Sequence, residues 1–279
     1  MSEVAYREGA WRAPSSQRVL WYRLWQPQAV RQLLVVLHGF GEHGGRYERL
    51  ALELARHQLC VASADLWGHG RSGGARGDLG SIAQSVRELQ ELTQQMFLPQ
   101  SGRSSYVLFG HSFGGLAAIV WALQAPVALR RLIVQSPLLE AGFPIPSWKT
   151  TAVTLLARCW PTFRFAMHLD ADALSHDPDV TSAYRADPLV HQTMSARTYH
   201  DLLRTRDDAM ARAGTLHLPT LLLCAGEDRI VSTVKAREWL DRVSCEKRCV
   251  VFPNAYHELH HEPVRDEVAR LIRDWALIP

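Results

Sequence analysis

The 279-residue sequence lacks a long hydrophobic run, a strong charge of either sign and an even set of cysteines. Its longest unbroken apolar stretch, residues 116–123, is far shorter than the roughly 20 residues that a membrane-spanning helix needs. Lys and Arg number 31 and Asp and Glu number 28, so the formal net charge is only +3. This balance does not predict a nucleic-acid partner or binding to an anionic membrane surface.

Cysteines are few, and their odd count of five includes no C-x-x-C pair, which predicts free, buried thiols in a reducing compartment. The first nine residues hold two acids and no apolar stretch, so a secretory signal is not indicated. We therefore expect a cytoplasmic protein. Its length predicts one or two domains, with a core large enough to fold without disulfides or a metal.

Short apolar runs alternate with amphipathic segments along most of the chain. The runs are continuous, which is typical of strands buried on both faces of a parallel sheet, and they occupy residues 33–37, 60–64, 106–109, 132–134, 221–224 and 250–252. Residues 47–55, 82–96 and 264–275 repeat apolar side chains every three or four positions, which predicts helices. The pattern predicts an α/β fold with a mostly parallel central sheet flanked by helices. Residues 18–25 are predicted to belong to a leading hairpin.

This alternation stops between residues 140 and 197, where prolines and aromatic side chains accumulate and no run typical of a buried strand occurs. We interpret the segment as a cap (lid) insertion over the sheet, with a short helix at residues 151–160. The predicted organisation is an α/β core at 1–139, the cap at 140–197 and the rest of the core at 198–279.

Polar side chains of catalytic type follow five of the predicted strands: His38, Asp65, Ser112, Asp228 and His257. In open α/β sheets, ligands bind at the carboxyl ends of the strands. The five residues are therefore expected to converge on one edge of the sheet.

Residues 110–114 read Gly-His-Ser-Phe-Gly, which matches the G-x-S-x-G elbow that carries a serine nucleophile between a strand and a helix. A predicted strand precedes the motif and an apolar helical segment follows it, as the elbow requires. The glycines are explained by a tight, strained turn at which a Cβ atom would clash. Ser112 is therefore the predicted nucleophile.

A serine hydroxyl needs a base, and the base needs an acid that fixes its tautomer. Because the elbow fold places them in the chain order serine, acid, histidine, the sequence favours Asp228 and His257 after the last two strands. Glu227 competes with Asp228 for the acid, and His260 and His261 compete with His257 for the base. An oxyanion hole is predicted from the N–H groups of Phe113 and Phe40.

A zinc-site motif competes with this interpretation, because residues 257–261 read His-Glu-Leu-His-His and match H-E-x-x-H. That motif binds zinc only when both histidines lie on one face of a helix. Here a strand and a turn precede the motif and Pro263 follows it, which predicts a loop ahead of the last helix.

The motifs together resemble the monoacylglycerol lipase and lysophospholipase branch of the α/β-hydrolases. The resemblance rests on residues 38–47, 65–72, 110–114 and 256–260, and in the cap on Tyr184 with residues 187–189. It extends from about residue 15 to the end and is weakest in the cap. One departure is Phe113, where the family usually has methionine in the elbow.

The resemblance implies a Ser112, Asp228 and His257 triad, with Phe40 and Phe113 at the oxyanion hole. It also implies a subsite for a glycerol end, whose candidate substrate-binding residues are Arg46, His111, Glu140 and Tyr184. A buried head group with hydroxyls needs such paired donors and acceptors. For Arg46, a structural ion pair within its own loop is an equally weighted alternative.

The resulting hypothesis is a serine ester hydrolase that cleaves lipophilic carboxylic esters, foremost monoacylglycerol to fatty acid and glycerol, through an acyl-enzyme. A lysophospholipase or general carboxylesterase with the same triad is the alternative. Two more remote alternatives are a zinc metallohydrolase that uses His257, Glu258 and His261, and a binding protein on a hydrolase scaffold. The expected partner is a small lipid ester, with peripheral membrane contact through the aromatic cap and no nucleic acid. No metal or other cofactor is expected.

Overall fold

A computed structural model describes residues 4–144 and 146–278, and within them eight strands form one sheet in the order β1-β2-β4-β3-β5-β6-β9-β10. Two further strands, β7 and β8, form a separate antiparallel pair. The strands are β1 (Val4–Arg12), β2 (Val19–Pro27), β3 (Gln32–Leu37), β4 (Leu59–Ala64), β5 (Tyr106–His111), β6 (Leu129–Gln135), β7 (Arg164–Ala166), β8 (Thr193–Ser195), β9 (Thr220–Ala225) and β10 (Lys247–Phe252).

The main sheet is mostly parallel, as predicted. β1 and β2 form the expected leading hairpin, β2 is antiparallel to β4, and every other neighbouring pair is parallel. All residues of β4, β5 and β9 are buried, because helices cover both faces of the sheet. This two-sided burial is the reason that these strands are continuous apolar runs.

Helices pack on both faces of the sheet. They are α1 (Glu48–Ala55), α2 (Ile82–Leu92), α3 (Leu98–Ser101), α4 (Phe113–Ala122), α5 (Ser147–Cys159), α6 (Pro178–Ala186), α7 (Ala196–Ala211), α8 (Thr233–Arg242) and α9 (Arg265–Ala276). Leu54 of α1 and Trp275 of α9 belong to one core layer, whereas Trp121 of α4 and Trp239 of α8 belong to the other. α4 is apolar on almost every side because it lies buried against the sheet beneath α2 and α7.

The segment between β6 and β9 adds no strand to the main sheet within the residues that the structure describes. It contains α5, β7, α6, β8 and α7, and α5 packs against α7. α5 corresponds to the helix predicted at 151–160 and begins four residues earlier, at Ser147. Among the described residues, no helix has the length and apolar character that crossing a membrane would require.

All five cysteines lie in the described part of the chain and are free thiols. The prediction that they are buried is correct only for Cys60 and Cys224. Cys159 at the end of α5 and Cys249 on β10 are exposed, because the first lies outside the core and the second on the edge strand of the sheet.

Candidate active site

Ser112 occupies a strained turn between the end of β5 and the start of α4. Its φ is +54° and its ψ is −117°, in a region that residues other than glycine seldom adopt. A Cβ on Gly110 would meet the carbonyl of Gly114, and a Cβ on Gly114 would meet the carbonyl of Leu37. The spacing of the glycines is therefore required by close backbone packing. Because Phe113 is the first residue of α4, its N–H has no acceptor within the helix.

Asp228 and His257 lie in the loops after β9 and β10 and are hydrogen-bonded to each other. His257 Nδ1 lies 2.8 Å from Asp228 Oδ2, and both side chains are buried. The other carboxylate oxygen, Oδ1, accepts the N–H groups of Ile230 and Val231 at 2.9 Å each. The structure thus places Asp228 on the histidine and leaves Glu227 exposed.

The electrostatics of this pair suit a base with a fixed tautomer. Burial acts to lower the pKa of His257, but the adjacent Asp228 carboxylate outweighs burial and raises this pKa above its usual value of 6.5. Burial acts to raise the pKa of Asp228, but His257 and the two backbone N–H groups hold it below 3.8. Asp228 is therefore ionised at neutral pH and accepts a hydrogen bond from the Nδ1–H of His257, which leaves His257 Nε2 as a proton acceptor.

The loop after β3 brings Phe40 next to Phe113. Their rings lie 5.4 Å apart, edge to face. Glu42 fixes this loop because its Oε1 accepts hydrogen bonds from the Gly39 N–H at 2.5 Å and from the Tyr47 hydroxyl at 2.9 Å. The two residues predicted for the oxyanion hole are therefore neighbours beside the serine turn.

Arg46 is held in buried ion pairs. Its guanidinium contacts Glu42 at 2.6 Å and both oxygens of Glu258 at 2.6 and 2.7 Å. It also lies over the ring of Tyr184, 4.8 Å from its centroid. One of these pairs lies within its own loop, as the ion-pair alternative expects, and the others join the Phe40 loop to the His257 loop.

A cavity of about 430 Å³ opens at Ser112 between the sheet edge and the segment 140–197. Phe40 and Tyr184 line it, together with mostly apolar side chains from both sides, among them Leu138, Phe143, Met167, Leu169, Tyr199, Leu202, Leu203 and Ile230. Glu140 does not line this cavity, because it is exposed and borders a neighbouring groove. His111 lies beside His257, with 4.6 Å between ring centroids.

Residues 257–264, which contain the zinc-like motif, form turns, and α9 begins only at Arg265. The motif residues already have other partners: His257 bonds Asp228, and Glu258 bonds Arg46. In the described ranges, no group of three or more His, Cys, Asp or Glu side chains is arranged to hold a metal ion. The arrangement on one helical face that this motif needs is therefore not formed.

Glu42 and Gln135 were not singled out from the sequence, and Glu258 was named there only for the alternative zinc site. Glu42 and Glu258 form the buried ion pairs, and Gln135 contacts two histidines. A signal existed for Gln135, because it is a polar residue at the carboxyl end of an apolar strand. None existed for the glutamates, since a motif does not reveal which charges meet.

The chain is similar to known proteins over most of its length. Residues 28–264 match the family described as serine aminopeptidase S33. The chain is 30% identical to a monoacylglycerol lipase of Mycolicibacterium smegmatis, over 92% of both chains. It is also 30% identical to an abhydrolase domain-containing protein of Dictyostelium discoideum, over 94% of this chain but only 28% of that protein. The crystal structure of a monoacylglycerol lipase of Paleococcus ferrophilus superposes with a TM-score of 0.83, at 27% identity, over 99% of this chain and 98% of that one.

The fold and these matches define an α/β-hydrolase, and the protein is a hydrolytic enzyme. The chain belongs to the serine aminopeptidase S33 family, in the branch that includes the monoacylglycerol lipases, as the resemblance of its motifs predicts.

Proposed function

We propose that this enzyme hydrolyses monoacylglycerols to fatty acid and glycerol through a covalent acyl-enzyme on Ser112. The observation that carries the proposal is the buried Asp228–His257 pair, next to a serine elbow that opens into an apolar cavity. The named lipases among its relatives support the same substrate class.

In the proposed reaction, Ser112 Oγ attacks the ester carbonyl while His257 Nε2 takes its proton. The developing oxyanion accepts hydrogen bonds from the N–H groups of Phe40 and Phe113. His257 then protonates the leaving glycerol oxygen, and the acyl-enzyme forms. A water molecule, deprotonated by His257, attacks the acyl carbonyl, and His257 returns the proton to Ser112 Oγ as the bond to the acyl group breaks and the fatty acid leaves.

The cavity supports a substrate with one acyl chain and a small polar head. Its volume of about 430 Å³ is in the range of small-molecule sites, and side chains of α7 and of the segment 140–197 provide apolar walls. In this proposal that segment is the cap, and the acyl chain lies beneath it. The head group lies near Tyr184, which lines the cavity, with Arg46 behind Tyr184 and the buried His111 outside the cavity lining.

The cap also carries exposed apolar side chains, which we assign to peripheral contact with the membrane or micelle that holds the substrate. Phe143, Trp148, Leu155 and Trp160 are each more than half exposed. Lys149 and Arg158 on α5 accompany them and suit an anionic lipid surface. A cytoplasmic protein with such a patch would reach lipid esters without a membrane-spanning helix.

The test compares fatty-acid release from a monoacylglycerol, a lysophosphatidylcholine and a short p-nitrophenyl ester. Wild type is expected to prefer the monoacylglycerol, and Ser112→Ala is expected to lose at least about 10⁴-fold in kcat on all three substrates. Ser136→Ala is the matched control, because Ser136 is also a serine with positive φ but its hydroxyl has no hydrogen-bond partner among the residues that the structure describes. Undiminished activity of Ser112→Ala would overturn the mechanism. Activity on the short ester alone would overturn the assignment of monoacylglycerol.

A further inference from the structure

Gln135, the last residue of β6, connects two histidines beside the Asp228–His257 pair. Its side-chain Nε2 lies 3.0 Å from His111 Nδ1 and 2.8 Å from His260 Nδ1, and all three side chains are buried. A primary amide carries two N–H hydrogens on that nitrogen. In this orientation of the amide, one group donates to both imidazoles at once, while its Oε1 has no hydrogen-bond partner among the described residues.

This contact restricts the protonation of both rings. An imidazole nitrogen that faces an N–H donor must present its lone pair, so the single proton of a neutral ring lies on Nε2. An imidazolium carries N–H on both nitrogens, so its Nδ1–H would face the amide N–H and the two donors would repel each other. We infer that Gln135 is a positioning residue that keeps His111 and His260 neutral and in the Nε2–H tautomer.

The groups that face the two rings come from four parts of the chain. His257, His260, Glu42, Glu258 and Asp228 act on His111. His260 stacks on Tyr47 at 4.6 Å, lies 4.3 Å from His261, and is also near Arg46 and His257. Burial favours the neutral form of both histidine rings. Together with the nearby His257, burial lowers the pKa of His111 to about 4.

The neutral state of His111 matters for His257, the base of the reaction, and this part of the inference rests on the proposed function. His257 becomes an imidazolium each time it accepts the Ser112 proton. The centroid of the His111 ring is 4.6 Å from that of His257, so a second positive charge there would oppose this step. By keeping His111 uncharged, Gln135 leaves His257 as the one imidazole of the three that takes up a proton.

The experiment reads the tautomers directly by long-range ¹H–¹⁵N correlation of the histidine rings in wild type, with signals assigned by single histidine substitutions. His111 and His260 are expected to show neutral Nε2–H signals throughout the range of about pH 6 to 9. A wild-type Nδ1–H or imidazolium signal from either ring would overturn the inference, and this readout needs no Gln135 variant to fold.

Gln135→Met then tests the amide, because methionine fills similar space without a donor. We expect its histidine signals to shift toward a mixture of tautomers and kcat to fall by about tenfold at little-changed KM. Ser136→Ala, a change in the next residue, whose hydroxyl forms no hydrogen bond within the described part of the chain, is expected to match wild type in both the ring signals and kcat. If a folded Gln135→Met protein keeps the wild-type tautomers, Gln135 only fills space and the inference is overturned. The ring signals do not depend on turnover, so they test this inference even if the Ser112→Ala test contradicts the proposed function.

Discussion

Replacing Arg46 by methionine tests the buried ion pairs that join the two loops around Ser112. The guanidinium side chain is 9% exposed, and its partners Glu42 and Glu258 are 4% and 2% exposed. Methionine keeps an unbranched apolar stem but leaves both carboxylates buried without their cation. Removing one partner of a buried pair costs about 3–5 kcal/mol, and we expect a loss of this size in the free energy of unfolding near pH 7.5.

The pH dependence makes the prediction specific. Burial acts to raise the pKa of Glu42 and Glu258, but Arg46 holds both below their usual 4.5, so the wild-type pair stays ionised above about pH 5.5. Without Arg46, burial and mutual repulsion raise the pKa of at least one carboxyl group. The folded variant then binds a proton that the unfolded chain does not bind. Its stability therefore rises as the pH falls, by about 1.4 kcal/mol per pH unit for each such proton.

Urea unfolding at about pH 5.5 and about pH 7.5 measures both effects. The control is Arg56→Met, which removes a pair with Glu53 whose side chains are 60% and 38% exposed. That change is expected to alter stability by less than about 1 kcal/mol at either pH. An Arg46→Met protein within about 1 kcal/mol of wild type at the higher pH, or with a deficit independent of pH, would refute the reasoning.

Three further predictions concern the serine turn, the acid and the cavity. Asp228→Asn should lower kcat on a short p-nitrophenyl ester by about 10⁴-fold. The acid limb of its pH–rate profile should move to lower pH, because the carboxylate no longer raises the pKa of His257; an unmoved limb would contradict this. Gly110→Ala should lose about 1–3 kcal/mol in thermal unfolding, because its Cβ meets backbone, whereas Gly214→Ala should not, because a Cβ there lies in ordinary van der Waals contact, 3.6 Å from the carbonyl oxygen of Arg242. Leu202→Trp should reduce kcat/KM for a long-chain monoacylglycerol by at least about tenfold while sparing the short ester; equal losses on both would argue against a cavity for the acyl chain.

The sequence by itself determined the fold and the order of the site. Strands buried on both faces must be apolar throughout, so each inner strand of the sheet is visible as a run. The glycine requirement of the elbow is local at Gly110, where a Cβ would meet the carbonyl of Gly114, but at Gly114 it comes from the carbonyl of Leu37 at the end of β3. Catalytic-type residues follow the strand ends because all parallel strands end at one edge.

Tertiary structure alone decided which of several adjacent charges meet. Glu227 and Asp228 are neighbours in sequence, yet only Asp228 reaches His257, since its other oxygen is fixed by backbone N–H groups. Arg46 meets Glu258 across 212 positions of the chain.

Gln135 likewise reaches histidines 24 and 125 positions away. Such contacts depend on how distant loops pack at the sheet edge, and no local pattern in the sequence encodes that distance. The chain's own residues thus specify the elements, and the packing of those elements selects the partners.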